Sequence, residues 1–222
     1  MLTYRGRRIP ETLEEIVDRE RTVVIVHDMQ NDNIGANGAY EEVDRRIDVR
    51  DMLPRLIQFL ADARANHVRV WYTQYTNLPD FGAFPDTWFR DMAMHPDPAK
   101  ERVLGSLVDG TWGWQTVDEL KPQQGDVVIR KFKVDAFIAT PLEYLLRLNG
   151  IRTIIHTGIA TEVGILPTAW HALNMGFFVV VPEDCVGAME PEHHGAAMSF
   201  LRRLAIATTA EAIVDAWRAG HP

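Results

Sequence analysis

Three strand-like runs end in residues that could do chemistry. TVVIVH is followed by Asp28, so a carboxyl group stands where an apolar strand meets solvent or ligand. VVIR ends in Lys131, an ammonium in the equivalent position. TIIH continues into TGIATEVGILPTAW, which passes from strand-like to helix-like sequence through Thr161, Glu162 and Gly164. A sharp strand-to-helix turn often delivers a nucleophile, yet this one holds neither cysteine nor serine. A carboxyl and an ammonium support proton transfer and charge stabilisation without any covalent intermediate. Proline suits the first turn of a helix, where its missing N–H has no intrahelical partner, so Pro167 puts the helix start near Val163 or Gly164. The N–H groups of Gly164 to Leu166 would then be free to hold a carboxylate or an oxyanion. Each residue also has a plainer reading. Asp28 can cap a turn, Lys131 can be a solvated strand end, Gly164 can permit close helix–strand packing, and Glu162 can complement the helix dipole rather than activate water.

Six strands are needed to bring these ends together. TVVIVHD (22–28), HVRVWYT (67–73), DVVIRK (126–131), TIIHTG (153–158), FFVVVPED (177–184) and AIATT (205–209) read as strands, most of them as apolar as a doubly buried strand requires. Between them Met52, Leu53, Leu56, Ile57, Leu60 and Ala63 recur at helical spacing, as do Leu142, Leu145 and Leu146. A third series, Ile165, Thr168, Ala169, Ala172 and Leu173, closes at Gly176, a C-cap position. Strands alternating with helices predict an α/β fold with a parallel sheet covered on both faces, whose ligands bind beyond the carboxyl ends of the strands. We expect one domain over residues 1–222, interrupted by a long irregular segment at about 74–125. That segment carries Tyr75, Phe81, Phe84, Trp88, Phe89, Trp112 and Trp114, which suit a pocket wall or a subunit contact.

Composition narrows the partners. The formal charge of -8, with both signs interspersed, offers no basic stripe for nucleic acid. No apolar run reaches the roughly 18 to 20 residues that span a bilayer, and no signal peptide stands at the start, so a cytoplasmic protein without membrane contact is expected. The single cysteine, Cys185, leaves no intrachain disulfide or cysteine cluster and reads as a small buried residue. His193 and His194, being adjacent, point in different directions on a helix and read as packing and solvent residues.

VVIVHDMQND, VVIRKFKVDAF with TPLEYLL, and TIIHTGIATEVGILPTAWHALNMGFFVVVPED together resemble the three signature segments of the isochorismatase-like hydrolase superfamily. The resemblance covers about residues 20–210. It implies a Rossmann-like three-layer α/β/α sandwich with a six-stranded, mainly parallel sheet, assembled as a homodimer or higher homo-oligomer. Asp28 and Lys131 match the family's catalytic Asp and Lys, and Gly164 falls on its catalytic Cys. A thioester mechanism is therefore excluded, because glycine supplies no thiolate. The resemblance is to the isochorismatases themselves, which carry glycine there and share His-Asp-Met-Gln. Their vinyl-ether cleavage needs an acid and no nucleophile, with Asp28 as general acid or base and Lys131 as its electrostatic partner. The family's His-rich metal segment is replaced by TQYTNLPD, so neither a catalytic metal nor another cofactor is expected. Gln30, Trp88, Phe137, Ile159, Ala160, Thr161 and Ile165 are the candidate substrate-binding residues, and the Ile159–Ala160 peptide is expected to be cis. A small polar or carboxylate substrate fits this reading. A cysteine-independent amidase acting on a small amide or ureido compound, and a non-catalytic binding or scaffold protein, remain the alternatives.

Overall fold

The computed structural model describes residues 1–45 and 47–219. A short antiparallel hairpin, β1 (Leu2–Tyr4) with β2 (Arg7–Ile9), precedes the main sheet. Its residues are almost all exposed, so no hydrophobic pattern announces it in the sequence. The main strands are β3 (Thr22–His27), β4 (Arg69–Tyr75), β5 (Val127–Lys131), β6 (Thr153–Gly158), β7 (Phe178–Pro182) and β8 (Ile206–Thr208). They lie in the order β5-β4-β3-β6-β7-β8 and every neighbouring pair is parallel. Chain order reverses between β3 and β6, which makes their carboxyl ends the switch point where α/β folds open a crevice.

Side chains along β3 alternate between two cores. Val24 and Val26 pack with Leu56, Phe59 and Leu60 of the helix Met52–Ala65 and with Ile213 and Trp217 of the helix Ala210–Ala219. Val23 and Ile25 face the other way, onto Leu142 and Leu146 of the helix Leu142–Leu148, Ala169 and Ala172 of Leu166–Asn174, and Met198 and Leu201 of Pro191–Leu204. This is the three-layer α/β/α sandwich, and it explains why the strands are apolar at consecutive positions. Each fully buried aliphatic side chain contributes about 1.5–3 kcal/mol. Gly158 ends β6 at φ +98 against the His27 carbonyl, where a side chain would collide with backbone.

Within the segment 74–125, which reads as irregular in the sequence, the chain forms the helices Asp86–Met94 and Pro98–Leu104. The first buries none of its residues, and so lacks the core-facing stripe that marks a helix in sequence. Polar side chains after β3 hold the segment in place. Buried Asp32 accepts from Ala39 N at 3.1 Å through Oδ1 and from Leu107 N at 2.8 Å through Oδ2. Main-chain bonds from Asn31 N to Gln115 O and from Asp32 N to Gly113 O, both 2.9 Å, complete the attachment. The segment is thereby fastened over the carboxyl end of the sheet.

Candidate active site

Asp28 leaves β3 with φ 51, a left-handed conformation that Asp tolerates better than most residues. Its N–H donates to Thr73 O at 3.0 Å, and Asn33 Nδ2 donates to its carbonyl at 2.8 Å. This fixed turn aims the carboxyl sideways along the sheet edge. Oδ1 accepts from Tyr75 N at 3.0 Å, and Oδ2 lies 2.7 Å from Lys131 Nζ. Burial pushes the carboxyl above its ordinary range, opposed by the Lys131 ammonium and the Tyr75 N–H.

Lys131 belongs to β5, two strands from β3, and spans the intervening strand by running its stem past Tyr75, with Nζ 4.9 Å from the ring centroid. It has no exposed surface. Besides Asp28 it meets Lys133 O at 3.3 Å and Val134 O at 3.2 Å. An ammonium has three N–H donors, so each of the three has a protein acceptor.

The turn after β6 has the expected cis Ile159–Ala160 peptide, followed by a π-helical turn, Thr161–Ile165, and an α-helix beginning at Leu166. The free N–H groups expected from the sequence are not free. Val163, Gly164 and Ile165 all donate to Ala160 O, at 3.2, 2.9 and 3.1 Å, and Leu166 N–H bonds to Thr161 O. The π turn draws these groups inward onto two carbonyls, so its main chain offers them to no ligand. Glu162 Oε1 accepts from Met189 N at 3.1 Å, while its buried Oε2 has no hydrogen-bond partner.

Gly164 faces His27. A Cβ at residue 164 would lie 2.5 Å from His27 Nε2 and 2.8 Å from Cδ2. His27 has no exposed surface, neither ring nitrogen has a hydrogen-bond partner, and Nε2 stands 3.6 Å from Asp28 Oδ2. Burial, with Lys131 nearby, holds its pKa well below the ordinary value, so the ring is neutral. His156 on β6 lies behind it, ring centroids 6.2 Å apart, and burial lowers it to about 4. Neither histidine stands out as a candidate in the sequence. The available signal is a pair of imidazoles in adjacent, otherwise apolar strands, one directly before the acid.

A cavity of about 140 Å³ opens above Asp28. Tyr40, Tyr75, Phe84 and Trp88 provide rings, and Leu104, Leu107, Ile159, Ala160 and Val163 contribute to the rest of the wall. Phe84 is held edge-on by Phe81 and Trp88, each with centroids at 5.1 Å. Of the residues singled out from sequence, Asp28, Trp88, Ile159 and Ala160 therefore line one space. Gln30, Phe137, Thr161 and Ile165 do not. Gln30 Nε2 donates to Tyr75 O at 2.9 Å and Trp114 O at 2.7 Å. Phe137 packs against His171 and Phe177 in the opposite core. Thr161 Oγ1 binds Gly187 O at 2.8 Å and meets His194 Nδ1 at 3.0 Å, which gives His194 a holding role, and Ile165 is wholly buried. All four neighbour the motifs in sequence but turn away from the cavity. Tyr40, on the short helix Ala39–Glu42, lines the cavity without any motif to announce it. Cys185 has no exposure and lies outside the lining, and burial pushes its thiol pKa up. Among the described residues no three His, Cys, Asp or Glu side chains form a metal-ligand group, and no helix is long and apolar enough to cross a membrane.

Comparison with known proteins places this geometry in context. Residues 22–212 match the model of the isochorismatase domain. A relative from Methylorubrum extorquens, ureidoacrylate amidohydrolase RutB, is 34% identical over 184 residues, covering 78% of this chain and 73% of its own. Among solved structures, an isochorismatase-like hydrolase from Alkaliphilus metalliredigens superposes with a TM-score of 0.73 at 23% identity, covering 89% of this chain and 98% of its own. A cysteine hydrolase from Pseudomonas syringae gives 0.78 at 21%, covering 93% and 96%.

Proposed function

The chain belongs to the isochorismatase family of hydrolases, and we propose that it acts without a covalent intermediate, with Asp28 as the acid that protonates its substrate and vinyl-ether hydrolysis as the favoured reaction. The single observation that carries this reading is the imidazole of His27 lying where a side chain at residue 164 would have to start. The turn carries neither cysteine nor serine, a side chain at residue 164 would displace His27, and Cys185 is buried outside the cavity lining. Asp28 is then the one carboxyl among the described lining residues.

The electrostatics favour a transition state that gains positive rather than negative charge. Tetrahedral attack on an amide builds an oxyanion, which needs free donors. Lys131 has an acceptor for each of its N–H groups, and the N–H groups of Val163, Gly164 and Ile165 are bonded to Ala160 O. In vinyl-ether hydrolysis the proton of Asp28 passes to the terminal alkene carbon and leaves an oxocarbenium ion beside the new carboxylate. Water adds to the cation and returns a proton to Asp28, and the hemiketal collapses to a carbonyl compound and an alcohol. Lys131 holds the Asp28 carboxyl in place and balances its charge when ionised.

Cleavage of a C–N bond is the second reading, favoured by the relative named ureidoacrylate amidohydrolase. Asp28 would then act as a base toward water, and Tyr40 and Tyr75, whose pKa values are raised by burial, would be left to donate to the oxyanion. Incubating the protein with panels of small enol ethers and small amides or ureides, while following carbonyl product and ammonia separately, distinguishes the two. Carbonyl release abolished by Asp28→Asn supports the favoured reaction. Ammonia release abolished by the same change replaces it with the second, and turnover that survives the change removes Asp28 from the mechanism.

A further inference from the structure

The cavity constrains the charge of its ligand independently of the bond that is cleaved. Tyr40, Tyr75, Phe84 and Trp88 give it rings, Asn33 and Asn77 line it with amides whose Nδ2 groups donate to main-chain carbonyls, and no Lys, Arg or His is among the described lining residues. Its one acid, Asp28, contacts Lys131 at 2.7 Å, and Lys131 is fully buried outside the lining with its other donors on main-chain carbonyls, so its ammonium does not face the cavity in either protonation state of Asp28. A carboxylate entering this space would lose its hydration and find no cation among the described lining residues to replace it, and an ammonium would find an acid that is either protonated or held by Lys131. Burial pushes the Tyr40 phenol up to about 12 and raises that of Tyr75, so both remain uncharged. The volume, about 140 Å³, is close to that of the engineered apolar cavity of about 150 Å³ that takes up benzene. We propose that the site selects an uncharged substrate with an apolar, ring-sized body and discriminates against carboxylates and amines. This deepens the proposed function by resting on the same cavity as the reaction site, and it departs from the carboxylate substrate that the sequence suggests.

Three ring-sized probes that differ mainly in charge test it: benzamide, benzoate and benzylammonium, titrated calorimetrically into the full chain at neutral pH. Benzamide is expected to bind at least about tenfold more tightly than either ion, a difference of about 1.4 kcal/mol or more. Trp88→Ala is expected to weaken benzamide, which locates the probe in this cavity. Val163→Lys, at a rim residue 38% exposed, is expected to strengthen benzoate without strengthening benzamide. Arg46 precedes Ile47 in the sequence and lies outside the described residues, and Arg46→Ala is expected to leave the order of the three probes unchanged. Benzoate or benzylammonium binding as tightly as benzamide overturns the inference, as does the absence of benzamide binding or its indifference to Trp88→Ala. Because the readout is binding, its failure is separable from that of the reaction. Preference for benzamide without turnover of any enol ether or amide leaves the inference standing and removes the proposed function. Asp28-dependent hydrolysis of carboxylates only does the reverse.

Discussion

Replacing Gly164 by alanine tests whether the missing nucleophile is a matter of packing. The added Cβ would lie 2.5 Å from His27 Nε2, where ordinary contact begins at 3.4 Å, an overlap of 3.4 − 2.5 = 0.9 Å. The imidazole has little room to yield. It is fully buried, and its backbone is clamped in register between Thr73 of β4 and Gly158 of β6. Overpacking a fixed core position costs about 1–3 kcal/mol, and this overlap belongs near the upper end. For a domain of this size, 1 kcal/mol corresponds to roughly 2–4 °C, so Gly164→Ala should lower Tm by about 5–10 °C. The decisive measurement is a double-mutant cycle by urea titration, with midpoints compared at constant m. His27→Ala has its own cost, but in its background the second change should cost little, giving a favourable coupling of about 2 kcal/mol. Gly164→Cys should likewise yield an alkylatable thiol only when His27 is also reduced to alanine. Additivity within about 0.5 kcal/mol, or a stable Gly164→Ala single variant, would refute the reasoning.

Other expectations follow from named contacts. Asp28→Asn should reduce kcat by about 10²–10⁴-fold, the usual contribution of general acid–base catalysis, with the fold intact by circular dichroism. Because burial raises the Asp28 pKa, activity that needs its protonated form should fall as pH rises through a midpoint above the ordinary carboxyl value of 3.8. A limb that rises through that midpoint instead would mark Asp28 as a base and favour C–N cleavage. His156, lowered from 6.5 to about 4, binds its proton more weakly when folded. Its contribution is therefore complete above pH 6.5 and lost as pH falls from 6.5 toward about 4, worth about 3 kcal/mol at 1.36 kcal/mol per unit. His156→Gln should flatten that window in urea titrations, and an unchanged acid limb would rule out this origin. Asp32→Ala strands the N–H groups of Ala39 and Leu107, which should cost about 1–3 kcal/mol for each donor left unsatisfied. Because Leu107 lines the cavity, the same variant should raise KM more than it lowers kcat.

What the sequence reveals follows from what each element buries. TIIHTG reads as a strand over 153–158, and β6 occupies those residues, because all six are buried and no exposed position blurs the run. The hairpin β1–β2 and the helix Asp86–Met94 lack that signal, since neither places a buried residue on the core. Asp28 and Lys131 are recognisable as chemistry-bearing strand ends, but their 2.7 Å contact depends on the order β5-β4-β3, in which two strands distant in sequence flank a third. Gln30, Thr161 and Ile165 lie within the motifs yet turn into the body of the protein, where they tie main chain together or fill core. Proximity in sequence to a motif locates a backbone. Which way the side chain points depends on the local turn, and the π turn at 161–165 has no clear sequence mark.

The histidine before the acid connects the chemistry to the packing. A neutral imidazole at residue 27, with a second neutral imidazole behind it, provides volume without charge beneath the site. Asp28, which lines the cavity, and buried Lys131 behind it are then the ionisable pair at the site, and in the proposed reaction a transferred proton would change the balance between them directly. In the proposed reaction the Asp28 carboxylate left by proton transfer would face Lys131 on one side and a cationic intermediate on the other. Both attractions would stabilise the state after transfer. A thiol seated at residue 164 would need the space that the imidazole fills, and moving that ring would disturb the contact 3.6 Å from Asp28 Oδ2. The residue that fills the space beside Gly164 is thus also the neighbour of Asp28, so a thiol introduced at residue 164 is expected to need a second substitution at residue 27.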